Sequence, residues 1–227
     1  MTKLDQITLP YLILAEGAGD AAFFDHLIAA RGIADEFHVT HPSRAPSVTG
    51  SGSTRFRQAL DAFGILPGFD TLRGIIIVTD CDDDETAAFT NVQDHIRHTA
   101  KRHPAPVRPL QKSSGSPPIV VMMIPWIGET GSLEALCVPA AESAFPLVAS
   151  CADAFQVCSG IDHWPHSKRS QVKLRSIISA AHKKNGDAGL AYIWDEFPAC
   201  IPLMHSCFDR VANFLSYFGA FINGPRD

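Results

Sequence analysis

Apolar residues along the chain fall into two patterns. Some form short uninterrupted runs, and others recur every three or four positions. The runs at 11–15 (YLILA), 74–79 (GIIIVT) and 117–124 (PPIVVMMI) contain no charged residue. Short β-branched apolar runs predict strands covered on both faces. A weaker strand is predicted over 37–40. After the first run, Phe23, Phe24, Leu27 and Ile28 recur at helical spacing, and Gly32 provides a stop. Helices are also predicted over 55–63 and roughly 85–102. The Pro-, Ser- and Gly-rich stretch 41–53 reads as a loop. Strands alternating with helices predict an α/β fold with a mostly parallel sheet flanked by helices. From Ser132 onward the pattern is mainly helical, ending in a helix over 201–218. The expected organisation is an α/β unit over 1–140 and a helical extension over 141–227 packed on it. A soft boundary falls between 139 and 159.

Composition removes several classes. With 46% hydrophobic residues and a net charge of −5, the chain of 227 residues can bury a core and is not expected to be disordered. No apolar run approaches the ~20 residues of a membrane span. The start MTKLDQITLP lacks the basic and apolar segments of a secretory signal, so the expected location is cytoplasmic. The six cysteines show no CxxC spacing and are expected to be buried free thiols.

The distribution of charge says more than its sum. No acid occurs from His95 to Gly128 or from His163 to Asn185, and these two windows hold eleven of the nineteen Lys and Arg residues. Acids concentrate instead at 80–85. In a parallel sheet, functional side chains gather beyond the carboxyl ends of the strands. The first run leads into Glu16. The second leads into Asp80, Asp82, Asp83 and Asp84. If the strand persists, Asp80 and Asp82 share one side. Carboxylates meeting at one rim repel unless a cation joins them, and hard oxygen ligands favour Mg²⁺, with Mn²⁺ an alternative. An acidic centre between basic segments suits chemistry on a phosphate polymer. An EF-hand loop starting at Asp80 fails, because its sixth position is Glu85 rather than Gly and its twelfth is Asn91 rather than Glu. A strand ending in Asp-x-Asp also fits an Asp-nucleophile phosphatase of the haloacid-dehalogenase type.

At this point the sequence resembles the TOPRIM superfamily. YLILAEGAGDAAFF followed by GIIIVTDCDDD looks like its strand-Glu-Gly-helix and strand-Asp-x-Asp landmarks. MMIPWIGETGSLEALC resembles a third landmark of stand-alone TOPRIM proteins related to the overcoming-lysogenization-defect (OLD) nucleases. SKRSQVKLRSIISAA looks like their lysine-bearing helix. The resemblance covers roughly 10–137 and implies a Rossmann-like TOPRIM sheet. It implies Glu16 as the catalytic-centre acid, Asp80 and Asp82 as metal ligands, Asp20 as a support or second-metal ligand, and Glu134 as a further acid. Lys173 or Arg175 would offset charge on the phosphorus. The expected activity is Mg²⁺-dependent cleavage of DNA or RNA. A catalytically weak nucleic-acid or nucleotide-binding module working with a partner is the alternative. Full-length OLD proteins carry an ATPase module. The loop GSGST at 50–54 lacks the Walker A lysine, so an ATPase would be a separate partner.

Secondary signals are weaker. Arg55 and Arg57, after the Gly-Ser loop, and Lys168 and Arg169 are candidates for phosphate or nucleic-acid binding. Cys151, Cys158, His163 and His166 form an irregular zinc candidate. Cys200, His205 and Cys207 supply only three ligands. Cys81, set among acids, is expected to be structural. Trp126 and Trp164 are candidates for base stacking.

Overall fold

The computed structural model describes residues 4–224. The first three residues of the N-terminal stretch read for a signal, and the last three of the chain, lie outside that range. Four strands, β1 (Tyr11–Leu14), β2 (Phe37–Thr40), β3 (Gly74–Asp80) and β4 (Ile119–Ile124), form one sheet in the order β2-β1-β3-β4. All three pairings are parallel, with Leu14 beside Ile77 and Asp80 beside Ile124. The helices α1 (Ala18–Ala30), α2 (Phe56–Phe63) and α3 (Glu85–Arg97) lie in the connections. The expected α/β parallel sheet flanked by helices is therefore what forms.

The central strands are apolar throughout because protein covers both sides. Ile13, Ile76, Val78, Val120 and Met122 face a layer that contains α1. Leu12, Leu14, Ile75, Ile77 and Val121 face α2 and α3. The alternation follows from the pleat, which sends successive side chains to opposite faces. α3 stops at Arg97, a turn short of the expected end near 102, and Thr99 Oγ1 donates to the Ile96 carbonyl at that end.

The remaining helices are α4 (Leu133–Ala144), α5 (Pro146–Cys158), α6 (His166–Ala181), α7 (Ile193–Glu196) and α8 (Asp209–Asn223). They join the α1 side of the sheet. Leu174, Ile177 and Ile178 of α6 and Val211, Leu215 and Phe218 of α8 belong to the same apolar cluster as the strands. The Phe218 ring meets Tyr11 of β1 edge-on at 5.2 Å between centroids. The final helix begins at Asp209 rather than 201, because Pro202 and a short 3-10 turn occupy the expected start. Among the described residues no helix is long and apolar enough to cross a membrane.

Candidate metal centre

The strand order determines where a site can form. From β1 the chain turns to β2 on one side, then crosses to β3 on the other. The carboxyl ends of β1 and β3 are thus the switch point, where ligands enter open α/β sheets. β1 runs into Glu16, and the β1–β3 register continued by two residues sets Glu16 beside Thr79. Thr79 Oγ1 donates to Glu16 Oε2 at 3.0 Å, which fixes that carboxylate at the rim. Asp80, the last residue of β3, accepts the Leu133 backbone N–H at 3.0 Å, at the first turn of α4. In that same turn Glu134 accepts from Ser132 Oγ at 2.7 Å. Asp20 lies in the first turn of α1, and its carboxylate turns back on the helix start, where a Cβ added at Gly17 would meet its Oδ2 at 3.0 Å.

Three acids from three separate elements therefore line one cleft, and the charge of Glu16 acts on two of them. The cleft has a volume of about 490 Å³, with Asp20, Asp80 and Glu134 in its lining. Burial and the neighbouring charges show in the acidity of Asp20 and Asp80. Burial, then the Glu16 charge, raise Asp20 from 3.8 to about 7, against the pull of backbone N–H groups. Burial, followed by the charges of Asp20, Glu16, Glu134 and Asp82, pushes Asp80 well above the usual carboxylate range. The charges that act most strongly on these two acids are those of neighbouring carboxylates.

The run at 80–85 separates into distinct tasks. β3 ends at Asp80, so the alternation that would align Asp82 with it does not continue. Asp82 has φ +48° and pairs with Gly131 in an isolated antiparallel bridge, yet its charge still acts on Asp80. Asp83 accepts from Ser167 Oγ of α6 at 3.2 Å. Asp84 caps α3 by accepting the Ala87 N–H at 2.9 Å. Glu85 accepts the Gly128 N–H at 2.8 Å. The Cys81 thiol is buried, and burial followed by the Glu85 charge pushes it up to about 12. It therefore carries no thiolate near neutral pH.

The donor set is all oxygen, which fits a hard divalent cation. Among the described residues, no three His, Cys, Asp or Glu side chains are gathered closely enough to hold an ion as they stand. Glu16, Asp80 and Glu134 are instead each held by a single donor, Thr79 Oγ1, the Leu133 N–H and Ser132 Oγ respectively.

The other wall of the cleft comes from α6 and residues 186–190. Gln171, Arg175 and Ser179 face the space from α6. Lys173 does not. It points to the opposite side of the helix and pairs with Glu142 of α4 and Asp153 of α5. Burial alone would lower its pKa, but these two hydrogen-bonded carboxylates raise it. Of the two basic residues expected on this helix, Arg175 is the one in the cleft. Arg55 donates to Gln58, Arg57 borders a groove between α2 and α3, and Lys168 lies near Gln171 at the start of α6. Arg169 is half-buried. None of these four lines the cleft. The cleft residues that the motifs did not mark are Gln171, Ser179 and the stretch 186–190. Their signal was an apolar stripe, Leu174, Ile177 and Ile178, whose neighbouring face carries Gln171, Arg175 and Ser179.

The zinc candidates are spread out. Cys151 and Cys158 are exposed on α5, Cys200 is buried, and His205 Nδ1 accepts the Cys207 N–H at 3.2 Å. Trp164 is largely exposed, and Trp126 packs against the core.

No curated protein and no solved structure matches the chain. One family model, described as a protein of unknown function, matches residues 10–218, nearly the whole chain, and the protein accordingly belongs to that DUF3226 family.

Proposed function

We propose that this chain is a metal-dependent phosphodiesterase acting on nucleic acid, with a TOPRIM-like centre of the OLD-nuclease type. The observation that carries the proposal is the gathering of Asp20, Asp80 and Glu134 along one cleft at the β1–β3 switch point, where the charge of Glu16 acts on the first two. Bound Mg²⁺ or Mn²⁺ would set positive charge against a phosphate and lower the pKa of an attacking water. Glu16, Asp20 and Asp80 would hold the ion, assisted by Asp82 and Glu134. Thr79 orients Glu16, and the Leu133 N–H orients Asp80. Arg175 stands where it can offset charge gathered on a phosphate in the cleft. A separate ATPase partner belongs to the same reading and rests on the sequence resemblance, whereas a cytoplasmic location rests on the N-terminal stretch lacking a secretory pattern.

The test is hydrolysis of bis(4-nitrophenyl) phosphate and of short single-stranded DNA and RNA with Mg²⁺ or Mn²⁺. Turnover that disappears with chelator and in Asp80→Asn is the expected result. Turnover that survives Asp80→Asn combined with Asp82→Asn would place the chemistry elsewhere.

A further inference from the structure

The far wall of the cleft is built into the core. Leu174, Ile177 and Ile178 of α6 are fully buried against the sheet layer, and Lys173 ties the helix to α4 and α5. Residues 186–190 are pinned as well. Ser179 Oγ donates to the Gly186 carbonyl at 2.6 Å. Asn185 Nδ2 donates to Glu196 at 2.7 Å, and His182 Nε2 lies 3.2 Å from the same carboxylate. The stretch then closes on α1, so near that a Cβ added at Gly19 would meet the Leu190 side chain at 3.2 Å. The acids thus sit between α1 and α4 on one side and a fixed wall on the other.

Size and charge then select what can reach them. The cleft offers about 490 Å³. That volume is in the range of small-ligand sites. Among the described residues, Arg175 is the one basic side chain lining the cleft, and Asp187 adds a further acid. Proteins that grip a duplex neutralise several phosphates at once with rows of Lys and Arg. Here Arg57 is turned into the groove between α2 and α3, where Asp61 and Asp94 stand, and Arg55 and Lys168 engage glutamines.

We infer that the site accepts a phosphate ester carried on one nucleotide-sized unit, such as a single-strand end, and excludes the uninterrupted backbone of a duplex. The inference rests on the phosphodiesterase reading and adds the form of the substrate. A single strand can present one sugar-phosphate at its terminus, and Arg175 supplies the single positive charge that such a unit needs.

Two measurements on the full chain test this. The first is binding without turnover, by fluorescence polarisation in Ca²⁺, of a labelled single-stranded oligonucleotide against a duplex closed by hairpins at both ends. The single strand should bind at least about tenfold tighter, and Arg175→Gln should weaken it. The second is turnover in Mn²⁺ of thymidine 5′-(4-nitrophenyl phosphate), a linear single strand and a covalently closed duplex circle. The first two should react and the circle should stay closed. A circle nicked as fast as the linear strand, with loss in Asp80→Asn, would overturn the size exclusion and leave the phosphodiesterase reading standing. Absence of turnover on all three would overturn both. Equal binding of the two labelled ligands would overturn the exclusion alone.

Discussion

Asp20→Asn should stabilise the metal-free protein and should do so only above acidic pH. Asp20 is raised from 3.8 to about 7, first by burial and then by the Glu16 charge. In the folded protein the carboxyl holds its proton over a range where the unfolded chain has lost it. Between about pH 4 and pH 7 the native state therefore binds more protons, and stability falls as pH rises. A tenfold change in acidity corresponds to about 1.4 kcal/mol, so the ionised group costs at most about 4 kcal/mol near pH 8. Asn removes the charge but weakens the hydrogen bonds to the Asp20 and Gly17 backbone, a loss of about 1 kcal/mol. The net gain near pH 8 is about 1–3 kcal/mol. At ~2–4 °C per kcal/mol for a chain of this size, Tm should rise by several degrees. Near pH 4 the gain should be gone, and the variant should melt level with wild type or slightly below it. Saturating Mg²⁺ should reverse the order, because an ion at ~100 times its Kd adds about 2.7 kcal/mol to wild type and less to the variant. The assay is thermal melting in chelator and in Mg²⁺ from pH 4 to 8. A variant that melts below wild type near pH 8 in chelator, or whose advantage is unchanged near pH 4, would refute the placement of Asp20 in a buried cluster of acids.

Other perturbations separate structural from chemical roles. Lys173→Met leaves Glu142 and Asp153 facing each other without their shared cation and should cost about 1–2 kcal/mol in denaturant melts, with turnover per folded molecule kept. Arg175→Gln should show the reverse, a Tm within about 1 °C of wild type and kcat/KM lower by roughly tenfold or more. Thr79→Val deletes the buried hydroxyl that donates to Glu16 and should weaken Mn²⁺ binding by calorimetry while costing about 1 kcal/mol of stability. Cys81→Ser should leave turnover within about twofold, since a thiol pushed up to about 12 is no nucleophile near neutral pH; a loss of a hundredfold or more would reassign that residue.

The elements that frame the cleft were legible in the sequence where local pattern decides structure. Runs such as GIIIVT can be satisfied only by cover on both faces, and the observed β3 at Gly74–Asp80 extends that run by one residue. The acids at strand ends followed from the same logic, because Glu16 and Asp80 are the first charged groups reached along β1 and β3 at one rim. Asp82 was harder. Placing it beside Asp80 assumed that the pleat continued, whereas the chain turns at φ +48° to pair with Gly131, a partner 49 positions away that no local pattern marks.

The second wall of the cleft was the least legible part, because its orientation comes from packing and not from motif. Lys173 and Arg175 are two apart on a helix and so point to nearly opposite sides. Glu142 and Asp153 draw Lys173 toward α4 and α5, and the buried stripe Leu174, Ile177 and Ile178 then leaves Arg175 facing the acids. Without α6 the carboxylates at the β1–β3 switch point would form an open acidic rim. With it they become the floor of a bounded cleft containing one positive charge. The region beyond residue 140, which holds none of the acid motifs, therefore decides what those acids can reach.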